Sequence, residues 1–230
     1  IGLIPRTAGT SLAGQCVGEG IVVDTSKYFN KIIEINETER WARVQPGVIR
    51  DELNHVLKLA GLMFGPNTST SNRAMIGGMA GNNSCGSTSV AFGTTRDHVL
   101  EMKGFLSDGS AFHAKPLSAE EFYQKTHQDN LEGKIYRHLA EKLSDNQVRE
   151  EVFREFPKES INRRNTGYAV DVLLRSEVFT QGGEAFNLSK ILCGSEGTLA
   201  FTTELKVNLV LVPPPCDALV CAHFDSIHKA

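Results

Sequence analysis

Three runs of glycine and small polar residues constrain this chain more than any other feature. They are Pro5-Arg6-Thr7-Ala8-Gly9-Thr10-Ser11-Leu12-Ala13-Gly14-Gln15, Ile76-Gly77-Gly78-Met79-Ala80-Gly81-Asn82-Asn83-Ser84-Cys85-Gly86 and Cys193-Gly194-Ser195-Glu196-Gly197-Thr198-Leu199. Such runs leave backbone N–H groups unpaired locally and let the main chain approach a ligand closely. The first makes a concavity suited to an anion such as a diphosphate, with Thr10 and Ser11 as hydroxyl donors. A plain tight turn has the same composition. The second adds amide side chains that donate or accept. The third joins two apolar strands and by itself reads as a β-turn with an exposed Glu. Together, the three suit one long ligand with several hydrogen-bonding portions.

Between these runs the periodicities predict an α+β chain. Ile21–Asp24, Lys31–Ile35 and Trp41–Gln45 read as strands, the last stopping at Pro46-Gly47. Ile49, Leu53, Val56, Leu57 and Ala60 share one helix face, and Gly61 is the expected stop. Residues 65 to 98 read as a long functional loop anchored by Met75-Ile76 and Val90-Ala91-Phe92. Val99–Ser107 and Ser110–His113 flank Asp108-Gly109, a hairpin signal. Residues 117–156 are charged and helical, with Ile135, Leu139 and Leu143 at four-residue spacing, and are expected to cover a sheet face. Leu205, Val207, Leu209 and Leu211 alternate as a strand that ends before Pro213-Pro214-Pro215.

Several function classes are disfavoured. A formal charge of -3 and the lack of a basic run interleaved with aromatics argue against nucleic-acid binding. Cys16, Cys85, Cys193, Cys216 and Cys221 form no CxxC pair, so no zinc ribbon or local iron–sulfur cluster is expected. They read as reduced cysteines of a cytoplasmic chain. No apolar stretch approaches the ~18 residues of a membrane span, so membrane association is not indicated. A P-loop, a GxGxxG turn opening a helix, HExxH and GxSxG are all missing. His98, His113, His127 and His138 lack ligand spacing, and no metal site is expected in this chain. Ile1 opens inside an apolar run and Asp225–Ala230 closes without a structural stop, as expected of a piece of a longer polypeptide.

The order of the motifs resembles FAD-linked oxidases of the vanillyl-alcohol oxidase type, which share a PCMH-type FAD-binding domain. Arg6-Thr7-Ala8-Gly9-Thr10-Ser11 is similar to their R-G-G-G-T-S/G loop. Gly20-Ile21-Val22-Val23-Asp24 resembles G-I-V-I-D, and Val44-Gln45-Pro46-Gly47-Val48 resembles V-x-A-G-V. Ile76-Gly77-Gly78 with Asn82, Asn83 and Gly86, then Phe92-Gly93 and Asp97-His98-Val99, follow in order. Gly194-Ser195-Glu196-Gly197-Thr198-Leu199 is similar to G-S-E-G-T-L. The branch resembled is that of D-lactate, glycolate and D-2-hydroxyglutarate dehydrogenases, in long proteins with a C-terminal iron–sulfur domain.

The resemblance implies a two-lobed fold: a small α/β lobe over 1–65, lacking its first strands, and a larger lobe over 66–215. The larger lobe would hold an antiparallel sheet flanked by helices, with the helical excursion at 117–156. Residues 216–230 would begin a substrate cap. Arg6, Thr7, Ala8, Gly9, Thr10, Ser11 and Gln15 would hold the diphosphate. Pro66, Thr68, Ser71, Ile76, Gly77, Gly78, Gly81, Asn82, Asn83 and Gly86 would line the flavin and ribityl chain. Glu196, Gly197 and Phe201 would lie near the adenosine end. Thr7 and Ala8 replace two glycines, so a positive φ there would be strained. Thr10 stands where some relatives attach flavin through histidine, which implies noncovalent FAD. An iron–sulfur cluster and a divalent metal belong to the region after this chain.

The implied reaction is oxidation of a small 2-hydroxy acid with hydride passing to flavin, electrons leaving to an acceptor or iron–sulfur module. No catalytic base is identified. Within Asn162–Tyr168, Arg163 and Arg164 suit a bidentate carboxylate contact, with Asn165 and Tyr168 beside them; a solvated basic turn is the other reading. A nucleotide-sugar reductase using the same FAD frame and a non-catalytic nucleotide-binding module remain alternatives.

Overall fold

The computed structural model describes residues 1–158, 160–161, 163–165, 167–215 and 218–229. Asn162 and Thr166 of the basic segment, Cys216 and Ala230 lie outside these residues. The chain opens with β1 (Leu3–Arg6) and β2 (Ile21–Asp24), which pair in parallel across the first glycine-rich run. Then come β3 (Ile32–Asn36), β4 (Trp41–Val44) and α1 (Arg50–Leu57). Helix α1 buries Leu53 and Leu57, one turn apart, and places Asp51 and Glu52 at its positive end. A further 3-10 turn ends at Gly61, whose φ of 66° is the left-handed stop that the sequence signals.

After β5 (Leu62–Met63), the stretch expected as a loop contains three short helices: α2 (Ile76–Asn82), α3 (Ser89–Phe92) and α4 (Thr95–His98). The hairpin at Asp108-Gly109 joins β6 (Val99–Phe105) to β7 (Ala111–Ala114). The helical excursion is α5 (Ala119–Thr126), α6 (Leu131–Ser144) and α7 (Asn146–Glu155). Each start is capped by its sequence: Ser118 with Glu121 in a capping box, Asn130, and Asp145. Phe122, on α5, stacks edge-on against Phe186 at 4.6 Å and fixes the excursion to the body. Short helices α8 (Val170–Leu174) and α9 (Ser189–Leu192) precede β8 (Phe201–Asn208) and β9 (Val210–Leu211).

The main sheet has five strands in the order β3-β4-β8-β6-β7, antiparallel throughout. Strands from both sides of residue 65 share it: Trp41 is opposite Asn208, and Val44 opposite Leu205. Its inner face, with Ala42, Val44, Met102, Leu205 and Val207, joins a single buried core with Leu53, Ile76, Met79 and Leu174. The architecture is thus an antiparallel sheet flanked by helices, with β1 and β2 beside it.

The outer face carries a charge network. Glu101 accepts from His113 at 2.8 Å and Lys206 at 3.1 Å, and Arg43 bridges to Glu204 at 2.8 Å. Burial acts to raise the Glu101 carboxyl, but the hydrogen bonds from His113 and Lys206 outweigh it and hold the group below its ordinary range. A depressed carboxyl contributes stability above its unfolded pKa and loses it as pH falls through the folded value. Glu101→Gln is therefore expected to lower stability by about 1 kcal/mol at neutral pH. Its denaturant midpoint should approach that of the unsubstituted protein only as pH falls from about 4 through the depressed folded value, below which the carboxyl is protonated in both states. A constant gap across that range would mean that the network is not titrating.

Candidate functional site

The first loop leaves the end of β1 and returns to β2, so its main chain lies at the carboxyl end of a parallel strand pair. Gly9 (φ 66°) and Gly14 (φ 70°) take its left-handed positions. Thr7 and Ala8 are not among the positive-φ residues, so the strain considered for them does not arise. Opposite the loop lies α2. A side chain begun at Gly78 would put its Cβ 2.3 Å from Thr7 Oγ1, so the two segments approach closely and that hydroxyl would have to turn aside for any larger residue.

The third glycine-rich run docks on the same helix. Gly194 N–H donates to Ala80 O at 3.0 Å, and Glu196 N–H donates to Gly81 O at 2.9 Å. Glu196 holds a φ of 53°, a conformation that costs a non-glycine residue about 1 kcal/mol or more. Its carboxylate is where the three runs meet: Oε1 accepts from Gln15 Nε2 at 2.9 Å and from Asn82 Nδ2 at 3.2 Å.

Between these segments runs a cleft of about 590 Å³. Arg6, Thr7, Ala8, Gly9, Thr10, Ser11 and Gln15 form one wall. Thr68, Gly77, Gly78, Gly81 and Asn82 form the facing wall, and Glu196 and Gly197 one end. The remaining expected cofactor residues do not line it. Pro66 is buried and its carbonyl accepts from Arg50 Nε at 3.1 Å. Ser71 Oγ donates to Asp51 at 2.9 Å, Ile76 is wholly within the core, and Phe201 sits in β8. Gly86 packs on Asn67, with only 2.4 Å between an added Cβ and that carbonyl. Asn83 is buried behind the cleft, a C-cap with φ 52°.

The four basic-segment candidates separate. Arg164 pairs with Asp171, a fully buried carboxylate on α8, and Tyr168 Oη lies 2.6 Å from Thr198 Oγ1. Arg163 and Asn165 instead border a second, smaller hollow that shares Asn82, Cys85 and Glu196 with the cleft.

Sequence reasoning missed Arg96, which organises the ground behind the site. Only 5% exposed, it donates from Nε to Lys190 O at 2.9 Å and from Nη2 to Gly167 O and Cys193 O, each at 2.6 Å. Its own N–H donates to Asn83 Oδ1 at 2.8 Å. Burial pulls its pKa below the ordinary guanidinium value and pushes the Cys193 thiol up to about 12. Met102, Thr70 and Cys16 also line the cleft without having been signalled by the sequence.

A sequence family described as an FAD binding domain matches residues 1–115, half of the 230 residues. The chain belongs to that FAD-binding family. D-2-hydroxyglutarate dehydrogenase of Pseudomonas putida is 43% identical over 211 residues, covering 92% of this chain and 20% of the relative. D-2-hydroxyglutarate dehydrogenase of Escherichia coli is 39% identical over 226 residues, covering 98% of this chain and 21% of the relative. The chain thus spans about a fifth of the length of these curated relatives. Among solved structures, an alkyldihydroxyacetonephosphate synthase superposes with a TM-score of 0.55 at 17% identity, covering 92% of this chain and 29% of that one. That likeness shows the fold alone.

The site fits FAD on its own features. Glycines and the hydroxyl residues Thr7, Thr10 and Ser11 line it, and Gln15 Oε1 is buried with no partner among the described residues. A buried acceptor without a donor suits a ligand hydroxyl. Among the described residues, no helix is long and apolar enough to cross a membrane.

Proposed function

We propose that this chain is the FAD-holding part of an oxidoreductase that oxidises a small 2-hydroxy acid, D-2-hydroxyglutarate being the first candidate. The convergence of three distant glycine-rich segments on one cleft carries the cofactor half of the reading. The two dehydrogenases covering nearly all of this chain support the substrate half. FAD, when bound, supplies the ring that accepts the substrate's reducing equivalents. The backbone amides and hydroxyls from Thr7 to Ser11 would hold its diphosphate, since consecutive N–H groups in a turn favour an anion. Gly77, Gly78 and Gly81 give the ligand room beside α2, and Gln15 Oε1 accepts from a ligand hydroxyl. With Thr10 at the place of a flavin-linking histidine, the cofactor is held without a covalent bond. Electrons pass on to a separate acceptor.

The test is anaerobic reduction of the full-length protein, followed by the visible absorbance of oxidised flavin. Addition of D-2-hydroxyglutarate is expected to bleach it, with D-lactate and glycolate as comparisons. Bleaching by NADPH but by no hydroxy acid would replace this reading with a reductase. A flavin that no donor reduces would leave a binding module.

A further inference from the structure

We infer that the hollow beside the cofactor cleft is a carboxylate-binding subsite, with Arg163 as the receiving group. As a placement of the substrate's acid end, this inference rests on the reading above. The hollow, of about 370 Å³, lies between Asn82, Cys85 and Glu196 on one side and Arg163 and Asn165 on the other. Its remaining lining is Gly167 and Gly194, with φ of 73° and 91°. An added Cβ on Gly194 would stand 2.6 Å from Gly167 O and from Arg96 Nη2, so the backbone there leaves no room for a side chain.

The loop that presents Arg163 is exposed, yet buried groups hold it. Arg164 is spent on Asp171. Arg164 O accepts from Asn83 Nδ2 at 3.0 Å, and Asn165 Nδ2 donates to Asn83 O at 2.5 Å. Gly167 O is gripped by Arg96. A solvated turn has no need of such anchors; a side chain that must be preorganised toward a ligand has. Arg163 Nε donates to Cys85 Sγ at 3.1 Å, which orients the guanidinium and leaves its Nη1–Nη2 edge for a carboxylate. The Glu196 carboxylate also borders the hollow and opposes an anion, so the subsite depends on the Arg163 charge, while two amides turn Glu196 Oε1 toward Gln15 and Asn82. Asn82 Nδ2 and Asn165 Nδ2 already donate, to Glu196 Oε1 and Asn83 O, which leaves Arg163 as the charged donor of the hollow.

The experiment uses the full-length, flavin-replete protein and glutarate, a dicarboxylate with no hydroxyl to oxidise. Calorimetric titration is expected to show saturable binding that Arg163→Gln weakens by about tenfold or more. Arg163→Lys should recover part of it, and flavin content and thermal midpoint should not move. Equal affinity in the Arg163→Gln variant, or no glutarate binding to the unsubstituted protein, overturns the subsite. The two readings fail separately. If no hydroxy acid reduces the flavin but glutarate binding still depends on Arg163, the subsite stands and the activity falls. If D-2-hydroxyglutarate reduces it with the same KM in Arg163→Gln, the activity stands and the subsite falls.

Discussion

Arg96→Met is expected to cost the full-length protein about 3 kcal/mol or more in this region and to leave it purifying with little flavin. Methionine matches the length of the arginine stem but donates nothing. Three carbonyls, of Gly167, Lys190 and Cys193, would then lose a charged donor in a place only 5% exposed. A buried acceptor left short costs about 1–3 kcal/mol, against about 5–15 kcal/mol for a whole domain. The loss is therefore large enough to release the segments at Gly167, Lys190 and Cys193 from one another, while the backbone N–H of residue 96 keeps its bond to Asn83. Arg96→Lys should recover less than half, because one ammonium cannot reproduce the fork that reaches carbonyls on two sides. Thermal unfolding should be followed without added flavin, since a ligand bound only by the folded state masks such losses. A midpoint for Arg96→Met equal to that of the unsubstituted protein would show that the carbonyls find other donors.

What the sequence made legible is local. The Asp108-Gly109 hairpin, the Gly61 stop and the helical stretch over 117–156 depend on residues a few positions apart, and all appear in the structure. The glycine-rich runs stood out for the same reason, and the structure brings them to one cleft. Helix α2 was not. Three glycines in seven residues oppose a helix by about 1 kcal/mol each, and tertiary contact overrides that preference. Pro46 presses on it at Gly77 and the Thr7 side chain at Gly78, and neither approach can be read from the run itself. The pairing of β4 with β8 joins residues more than 160 apart, and alternation announces a strand without naming its neighbour. Arg96 drew no attention because the carbonyls it holds arrive from 71, 94 and 97 residues away. Arg163 and Arg164 were indistinguishable as adjacent arginines; the buried Asp171 separates their roles.

Two neighbouring glycines on α2 should answer differently to the same methyl group. At Gly77 the added carbon would stand 2.3 Å from Pro46 Cβ, 2.9 Å from its Cα and 3.0 Å from its carbonyl oxygen. That residue is buried and rigid, and Gly77 N–H already donates to its carbonyl at 2.8 Å. Alanine gains about 1 kcal/mol of helix propensity. Overpacking against fixed atoms costs about 1–3 kcal/mol, occasionally more, so Gly77→Ala should be net destabilising. At Gly78 the methyl meets only Thr7, whose Oγ1 at 2.3 Å can rotate away. Gly78→Ala should therefore leave the flavin-free thermal midpoint unchanged or higher. The displaced hydroxyl and the new carbon must then share the cleft with the loop proposed to hold the diphosphate. FAD affinity should fall by about tenfold or more, the equivalent of the lower end of that overpacking range. Measuring midpoint and FAD affinity for both variants in the full-length protein separates the fold from the cofactor wall. If Gly78→Ala keeps FAD as tightly as glycine does, the face between Thr7 and α2 does not touch the cofactor, and the proposed placement of the diphosphate is wrong.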